Sequence, residues 1–414
     1  MRIVYVASCV PRKCGIATFT ADLMAAVKAA DPSIRSSYAA IDEPNAARAY
    51  GADVKWRIEQ GEPATYRAAA AAINASNTDI VNVQHEFGLY GIHLDGGYED
   101  HAAGFLEELR KPVVTTLHTI LPRPAPWMRD SVRAISALST AVVVMVDTAA
   151  RLLRTVYGVE KRPLVIPHGM PAVEPRGRRR LKRELRMEGR SLLLTFGLVD
   201  PRKGLEHVIH AMPRIVEEHP DALYLVVGQT HPELLRRHGE AYRNSLVEIV
   251  GGLGMSQHVR FVNEYLTQRQ VVDYLLASDV YVTPYLDPNQ ITSGTLAYAL
   301  GAGKAIVSTP YLHAAEALAD GRGILVDFAD PAGIGAAVSS ILADPQLKQR
   351  LETRSYAYGK EMAWPAVGRR VLGLMRDVVD GQRAAALAAR DRERTDRALD
   401  DAPGTEEPEP VTPA

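Results

Sequence analysis

The stretch from Asp287 to Pro310, DPNQITSGTLAYALGAGKAIVSTP, carries residue types suited to holding an anion. Ser293, Gly294 and Thr295 predict a turn of small residues, which lets a ligand approach the backbone closely. A short helix and a β-branched strand are predicted after them. Because the first N–H groups of a helix lack intrahelical partners, this helix would aim them at an anion such as phosphate. The alternative interpretation is an ordinary loop–helix–strand corner.

Histidines follow three other predicted strands. His85 and Glu86 end IVNVQHE, His118 ends VVTTLH, and His168 ends LVIPH. A histidine can exchange a proton near neutral pH and can donate to a sugar hydroxyl or a phosphate. A lone histidine is more often structural, but two at neighbouring strand ends, one beside a carboxylate, favour a binding site. His168 fits a hinge between domains as well as it fits a ligand contact.

Two further turns carry a glycine or a pair of cations. Gly15 allows a tight bend after the first strand, although the turn lacks both the Rossmann glycine triplet and the P-loop lysine. Arg202 and Lys203 stand directly before a predicted helix, where they would neutralise a diphosphate leaving group. The alternative for this pair is a solvated surface position. No Ser/His/Asp triad, zinc-ligand spacing or paired-carboxylate signature stands out, so these residues predict a phosphate-bearing ligand without naming a reaction.

The first half of the chain must position these residues on a parallel sheet. Its short, β-branched segments alternate with Ala- and Leu-rich helical segments, a pattern typical of strands covered on both faces. The predicted strands are Arg2–Ala7, Ile80–Gln84, Val113–Leu117, Ala141–Val146 and Leu164–Ile166. The predicted helices are Gly15–Ala30, Pro63–Ala75 and Gly97–Leu109.

The same alternation restarts in the second half. The predicted strands are Ser191–Phe196, Ala222–Val227, Val259–Phe261, Val280–Pro284, Ala305–Thr309 and Ile324–Val326. The predicted helices are Gly204–His219, His231–Leu253, Gln268–Ala277 and Pro331–Ala343. The chain therefore holds two open α/β domains, and ligands of such sheets bind beyond the carboxyl ends of the strands.

The domain boundaries follow from composition. Residues 1–172 form the first predicted domain, the basic segment 173–190 the linker, and 191–360 the second domain. Residues 361–392 are predicted to be helical, and the acidic, Pro-rich segment 393–414 is predicted to be disordered. The cleft between two facing sheets is where a reactive site would lie.

Composition narrows the class of protein. The chain has 414 residues, 47% hydrophobic and 23% charged, with a formal net charge of −1 that gives no reason to expect a nucleic-acid partner. Its two cysteines, Cys9 and Cys14, exclude a disulfide framework and favour a reducing cytoplasm. No signal peptide or membrane-spanning run is recognised. A peripheral membrane contact stays open, and the sequence gives no oligomeric state.

Taken together, the motifs resemble those of the retaining glycosyltransferases of family 4, in particular the mannosyltransferase-like branch. The resemblance covers roughly residues 1–380 and rests on motifs that occur in the family's order: VQHEFGLYG, KPVVTTLHTILPRP, VIPHGMP, FGLVDPRKGLEHVIHAMP and PYLDPNQITSGTLAYALGAGKAIVSTP. It implies the GT-B fold, in which two Rossmann-like domains face each other. It also implies that the C-terminal helical segment, including Trp364, crosses back to the first domain.

The resemblance assigns roles to individual residues. His118 falls where a catalytic histidine contacts the transferred sugar, and Lys203 where a lysine stabilises the diphosphate leaving group. Gly15 falls on the turn near the donor phosphate. His85 and Glu86 are expected to bind the acceptor.

The donor site departs from the family pattern at three positions. Gln290 and Tyr298 stand where the family has two glutamates, one gripping the sugar and the other the ribose of the nucleotide. Leu198 stands where an arginine is usual. Arg202, together with Ser293, Gly294 and Thr295, is expected to supply the missing phosphate contacts. A tyrosine offers one hydroxyl to a ribose diol where a carboxylate offers two acceptor oxygens.

The resemblance implies an enzyme that moves a hexosyl group, foremost mannose from GDP-mannose, to a saccharide or glycolipid acceptor with retention. No cofactor and no metal are expected, since fixed cations and N–H groups face the phosphates. One alternative is a phosphorylase of the same fold that uses a sugar 1-phosphate. Another is a non-catalytic protein that binds a sugar or a nucleotide.

Overall fold

Two parallel sheets organise the chain in the computed structural model, which describes residues 1–94, 97–175 and 177–400. The first sheet has the strand order β3-β2-β1-β4-β7-β8-β9. The strands of this sheet are β1 (Arg2–Ala7), β2 (Arg35–Asp42), β3 (Val54–Glu59), β4 (Ile80–His85), β7 (Val113–Leu117), β8 (Ala141–Val144) and β9 (Leu164–Val165). A separate antiparallel hairpin is formed by β5 (Gly91–Leu94) and β6 (Gly97–Asp100). The helices are α1 (Gly15–Ala30), α2 (Pro63–Ala75), α3 (Ala102–Glu108), α4 (Pro126–Leu138) and α5 (Asp147–Thr155).

The second sheet has the order β12-β11-β10-β13-β14-β15. Its strands are β10 (Ser191–Phe196), β11 (Ala222–Val227), β12 (Val259–Val262), β13 (Val280–Thr283), β14 (Ala305–Ser308) and β15 (Ile324–Leu325). The helices are α6 (Arg178–Glu184), α7 (Leu205–Glu218), α8 (Pro232–His238), α9 (Ala241–Gly252), α10 (Gln268–Ala277), α11 (Gly294–Gly301), α12 (Leu312–Ala317), α13 (Pro331–Ala343), α14 (Pro345–Gly359) and α15 (Trp364–Asp400), with 3₁₀ turns at Pro201–Lys203 and Lys360–Met362.

Both sheets have a point where the strand order reverses, between β1 and β4 in the first and between β10 and β13 in the second. The strands at these points are almost entirely buried on both faces and are mostly apolar, although β4 also carries Asn82, Gln84 and His85. Loops on either side of a reversal leave in opposite directions and open a crevice at the carboxyl ends. The fold thereby predicts one ligand crevice in each domain.

The last helix crosses back to the first domain, as predicted. Its buried residues belong to the first domain's core, namely Trp364, Val367, Val371, Leu372, Leu374, Met375 and Val379. Gly368 lets α15 approach α1, because a Cβ at Gly368 would lie 2.7 Å from the Ala26 backbone. The helix continues to Asp400, so the disordered tail predicted from 393 begins too early, and 401–414 lie outside the described residues.

The two passages between the domains meet at Met170. The Met170 N–H donates to the Met362 carbonyl at 2.9 Å, and the Trp364 N–H donates to the Met170 carbonyl at 2.8 Å. These bonds tie the outgoing chain to the returning one, so the two domain crossings form a single backbone junction.

The predicted linker 173–190 needs correction, because most of it belongs to the second domain. Leu181 and Met187, in and after α6, are buried in that domain's core. The Lys182 ammonium pairs with the Asp279 carboxylate at 2.5 Å. A basic amphipathic turn anchored by two apolar side chains packs as a helix and does not act as a flexible connection.

Two predicted helices are also wrong in extent. In place of one helix over Gly97–Leu109, the chain forms β6 and then α3. The helix over His231–Leu253 is split into α8 and α9 by Gly239, whose φ of +59° is a left-handed value that interrupts the helix. In the part of the chain that the structure describes, no helix has both the length and the apolar character needed to cross a membrane.

Candidate functional site

Two adjoining cavities lie between the carboxyl ends of the two sheets. The first has a volume of about 650 Å³ and is lined by loops of both domains. The second, which we call the aromatic cavity, has a volume of about 400 Å³ and is lined in part by Phe196, Tyr265, Tyr298 and Trp364. Both lie in the size range of small-molecule sites. They share wall residues, including Gly15, His168, Gly197, Gly294 and Thr295.

His118 forms part of the first cavity's wall, and hydrogen bonds on the side away from the cavity fix its ring. Its Nε2 lies 2.8 Å from Gln84 Oε1, and Gln84 Nε2 in turn donates to Asn82 Oδ1 at 2.6 Å. With the amide in this orientation, His118 donates from Nε2 and leaves Nδ1 as an acceptor. Burial, helped by the nearby His168, lowers the pKa of His118 to about 3. The imidazole is therefore neutral at physiological pH.

Phe19 joins the histidines to the returning helix. Its ring makes edge contacts with His118, His168 and Trp364, at centroid distances of 5.0, 5.0 and 5.4 Å. His168 Nδ1 donates to the Gly169 carbonyl at 2.7 Å, and burial lowers the His168 pKa to about 4. His168 is thus a cavity wall residue close to the domain junction, and its roles as a hinge or as a ligand contact both stay predictions.

The cation side of the first cavity is a connected set of polar groups. Lys203 Nζ donates to the Tyr285 hydroxyl at 3.1 Å and lies over that ring. The Tyr285 hydroxyl is 2.7 Å from Thr295 Oγ1, which is 3.2 Å from Ser293 Oγ. Gly197 makes room for the lysine, since a Cβ there would lie 2.8 Å from Nζ. Lys203 therefore points into the turn that precedes α11.

The N-terminus of α11 opens on the same cavity. Ser293 is its N-cap, accepting the Leu296 N–H at 3.3 Å, while the Ser293 N–H donates to His313 Nδ1 at 2.8 Å. Gly294 follows at the first helical position, where a Cβ would come within 3.0 Å of the His168 ring. The small residues that were predicted to admit a ligand are therefore also needed for the close packing of His168 against the start of α11. The arrangement suits an anion at the helix end.

Arg202 and Gln290 also lie on the wall, but both have protein partners. The guanidinium of Arg202 contacts both oxygens of Asp200, each at 2.9 Å, and its side chain is 74% exposed. The charge of Arg202 is thus largely balanced before a ligand arrives. The Gln290 side-chain amide donates to the Thr292 carbonyl at 3.1 Å, which helps to fix the loop before α11.

The two residues expected to bind the acceptor, His85 and Glu86, differ in position relative to the cavities. Glu86 lines the first cavity, where its carboxylate accepts from Thr119 Oγ1 and from the Phe87 N–H, both at 2.9 Å. Burial raises the Glu86 pKa above its usual value. His85 does not line either cavity, because it is fully buried and stacked on Tyr90 at 5.5 Å. The structure thus places Glu86 at the cavity and His85 behind its wall, and the acceptor contacts expected of the two residues stay predictions.

Tyr298 lines the aromatic cavity, whose two sides are formed by the first and the second domain. Its hydroxyl is 3.0 Å from Gln268 Nε2, which also donates to Asp22 Oδ2 at 3.0 Å. Lys13 reaches across the same gap, with Nζ 3.5 Å from Gln229 Oε1. Leu198, at the position of the family arginine, contributes an apolar surface to both cavities.

Several residues that line the cavities escaped the sequence analysis, among them Phe19, Asp22, Tyr265 and Gln268. Gly15, Phe19 and Asp22 recur at positions i, i+4 and i+7, so one face of α1 could have been assigned to the crevice. Gln268 carries no such signal, since only the packing of distant segments brings it to the aromatic cavity. The same holds for His313, which is buried and supports the N-cap of α11 through the Ser293 N–H. Among the residues that the structure describes, no group of three His, Cys, Asp or Glu side chains is placed to hold a metal ion.

Two family models match consecutive parts of the chain. The model described as Glycosyltransferase Family 4 matches residues 44–173, and the model of glycosyl transferases group 1 matches residues 178–358. The boundary between them falls beside the backbone junction at Met170, so each match lies largely within one domain.

Curated relatives share parts of the sequence. The phosphatidyl-myo-inositol mannosyltransferase of Mycolicibacterium smegmatis is 29% identical over 186 residues, which is 45% of this chain and 44% of that protein. The D-inositol 3-phosphate glycosyltransferase of Acidothermus cellulolyticus is 27% identical over 306 residues, 66% of this chain and 64% of that protein. The chain thus spans about half to two thirds of the length of these relatives.

Solved structures show the same fold. A Rickettsia africae glycosyltransferase superposes with a TM-score of 0.70 at 14% identity, covering 91% of this chain and 98% of that one. An Anabaena protein, solved in complex with UDP and glucose, superposes with a TM-score of 0.68 at 14% identity, covering 91% and 100%. The chain has the GT-B fold and belongs to family 4 of the glycosyltransferases.

Proposed function

We propose that the protein transfers a hexosyl group from a nucleotide sugar, foremost mannose from GDP-mannose, with retention at the anomeric carbon. The observation that carries the proposal is the pair of adjoining cavities. One offers an ammonium group and a helix N-terminus, and the other offers aromatic walls. A diphosphate fits the first pattern and a nucleoside fits the second.

Lys203 and the first N–H groups of α11 would stabilise the departing diphosphate. Both face the first cavity, and the hydrogen-bond chain through Tyr285 and Thr295 holds the ammonium beside the helix end. Groups fixed in advance where negative charge develops usually contribute most to lowering a reaction barrier. Arg202 contributes less because Asp200 already pairs with it.

His118 would orient the transferred sugar as a neutral hydrogen-bonding group. Its low pKa excludes a role as imidazolium at physiological pH, and its bond to Gln84 leaves Nδ1 free to accept from a sugar hydroxyl. Glu86, across the same cavity, is the group proposed to contact the acceptor.

The acceptor is proposed to be a saccharide or glycolipid. Two relatives are named for inositol acceptors, so inositol 3-phosphate and phosphatidylinositol belong in any acceptor panel. A location in the reducing cytoplasm is part of the proposal, because Cys9 and Cys14 are both free. Peripheral contact with a membrane would be seen as co-sedimentation of the full chain with anionic vesicles.

The decisive experiment incubates the protein with GDP-mannose, UDP-glucose and ADP-glucose and with the acceptor panel. Formation of a glycoside whose anomeric configuration matches that of the donor, read by NMR, supports the proposal. Absence of turnover, of slow hydrolysis and of binding with every nucleotide sugar would reject it.

A phosphorylase that uses a sugar 1-phosphate is the second candidate, favoured by Tyr298 at the position of the family carboxylate. It predicts cleavage of an oligosaccharide that depends on inorganic phosphate, and no thermal protection by any nucleotide. The aromatic cavity would then have no nucleoside to hold, so nucleotide protection in a melting experiment separates the two candidates.

A further inference from the structure

Asp22 places a carboxylate in the aromatic cavity from the side of the first domain. It lies on α1, two helical turns beyond Gly15, and it is half-buried. Its Oδ2 accepts from Gln268 Nε2 at 3.0 Å, and Gln268 belongs to the second domain. The carboxylate therefore stands at the seam between the domains.

The Asp22 carboxylate is partly buried but has few groups that would stabilise its negative charge. Within the described part of the chain, no lysine, arginine or histidine forms an ion pair with Asp22. Burial raises the Asp22 pKa to about 6, against smaller lowering effects from Gln268 and Trp364. A partly desolvated carboxylate whose neighbouring donors, Gln268 and Trp364, are both neutral is stabilised when a ligand brings further donors.

The carboxylate on the cavity's second-domain side, Glu264, is exposed, whereas the side chains linked to Asp22 there are Gln268 and Tyr298. The Tyr298 hydroxyl is linked to Asp22 through Gln268, whose Nε2 lies 3.0 Å from it. One phenol oxygen already bonded to an amide cannot accept from two vicinal hydroxyls, whereas a carboxylate can. In nucleotide sites of α/β sheets, an acidic side chain commonly accepts from the ribose hydroxyls.

We propose that Asp22 binds the ribose diol of the nucleotide from the first domain, across the cavity from Tyr298. The inference rests on the proposed nucleotide-sugar function. It makes the nucleotide a contact of both domains, so that binding and domain closure are coupled. Gln268 would orient the carboxylate by holding one of its oxygens.

The test titrates the full chain calorimetrically with GDP, UDP and ADP, and then with the 2′,3′-dideoxy form of the tightest binder. We expect the wild-type protein to prefer the ribonucleotide by about tenfold or more, because two charge-assisted hydrogen bonds are lost in the dideoxy form. Asp22→Asn should bind the two forms within about threefold of each other. Asp130→Asn, at an exposed position of α4, should keep the wild-type preference.

A rescue variant makes the assignment specific. Tyr298→Glu in the Asp22→Asn background returns a carboxylate to the same cavity from the opposite wall, and should restore the preference for the ribonucleotide. Melting curves confirm that each variant is folded, so that a lost preference is not an unfolding artefact.

Two results with the variants would overturn the inference. Asp22→Asn could keep the ribose preference; a changed ratio of GDP to IDP binding in that variant would then indicate that Asp22 contacts the base. Alternatively, Glu264→Gln, which changes another carboxylate of this cavity, could be the variant that loses the preference.

The wild-type protein provides two further outcomes. If the wild-type protein binds none of the three nucleotides, the proposed function fails together with this inference. If it binds them without a ribose preference, only this inference fails.

Discussion

Lys203 and Arg202 are adjacent cations with different surroundings, and this difference predicts different effects. Lys203 faces the first cavity and, among the residues that the structure describes, bonds to the neutral Tyr285, while Arg202 is paired with Asp200 and largely exposed. We expect Lys203→Ala to lower kcat/KM by about 10²- to 10³-fold, in line with the loss of one preorganised charge-stabilising donor. Arg202→Ala should cost less than about tenfold, since an exposed ion pair contributes little. Steady-state kinetics with GDP-mannose measures kcat/KM of both variants. Equal losses of kcat/KM would contradict the proposal that Lys203 is the principal cation facing the diphosphate.

At the scale of elements, α15 must dock on α1 to place Trp364 against Phe19. Gly368 sits at the closest approach, whereas a Cβ at Gly373 on the same helix would meet nothing within 4 Å. We expect Gly368→Ala to lower the free energy of unfolding by about 1–3 kcal/mol through overpacking. Gly373→Ala should raise it by about 0.5–1 kcal/mol, because alanine favours the helix. Urea denaturation measures both changes, and the prediction fails if the two variants shift in the same direction.

For the whole molecule, buried histidines at the domain interface predict sensitivity to acid. Burial lowers the pKa values of His118 and His313 to about 3 and that of His168 to about 4, against about 6.5 in an unfolded chain. Between these values the unfolded state binds more protons, so stability is full above pH 6.5 and falls as the pH drops toward 4.

His313→Asn should flatten this pH dependence. The asparagine can still accept the Ser293 N–H but does not titrate in this range, so the variant should lose less stability than the wild type between pH 7 and pH 4.5. Thermal melting across that range measures the difference. The exposed His210→Asn variant is the control and should follow the wild-type curve.

The closed arrangement of the domains has its own contact, away from the cavities. The two oxygens of the Glu316 carboxylate, from the second domain, accept the N–H groups of Asp147 and Thr148 at 2.9 and 2.8 Å. These groups begin α5 of the first domain, where an anion is favoured. Glu316→Gln keeps only one acceptor oxygen, so we expect a more open molecule with a larger radius of gyration in small-angle scattering.

The scattering experiment needs a matched substitution far from the interface. Glu217→Gln, at an exposed position of α7, changes the same charge without touching the first domain. Its scattering curve should coincide with that of the wild type, and an identical curve for Glu316→Gln would show that this contact does not hold the domains together.

Much of the architecture could be predicted because local pattern decides it. Strands such as β1, β7 and β10 are short apolar runs buried on both faces, and their bounds agree with the prediction. β2 and β3 went unpredicted, since β2 begins with polar residues and β3, at the sheet edge, alternates exposed and less exposed positions. The hairpin before α3 also went unpredicted, because its residues pair only with each other.

By itself, the sequence determined two α/β domains and a set of polar residues at strand ends, because parallel strands bring those ends to one edge. The tertiary structure decided which of them line the cavities between the domains. In the folded protein, His85 is buried and stacked on Tyr90, and Arg202 is paired with Asp200. Lys203 is held beside α11 by its bond to Tyr285. The tertiary structure also brought Asp22 to Gln268, 246 positions away in the chain. Such contacts depend on how the domains close, which no local pattern encodes.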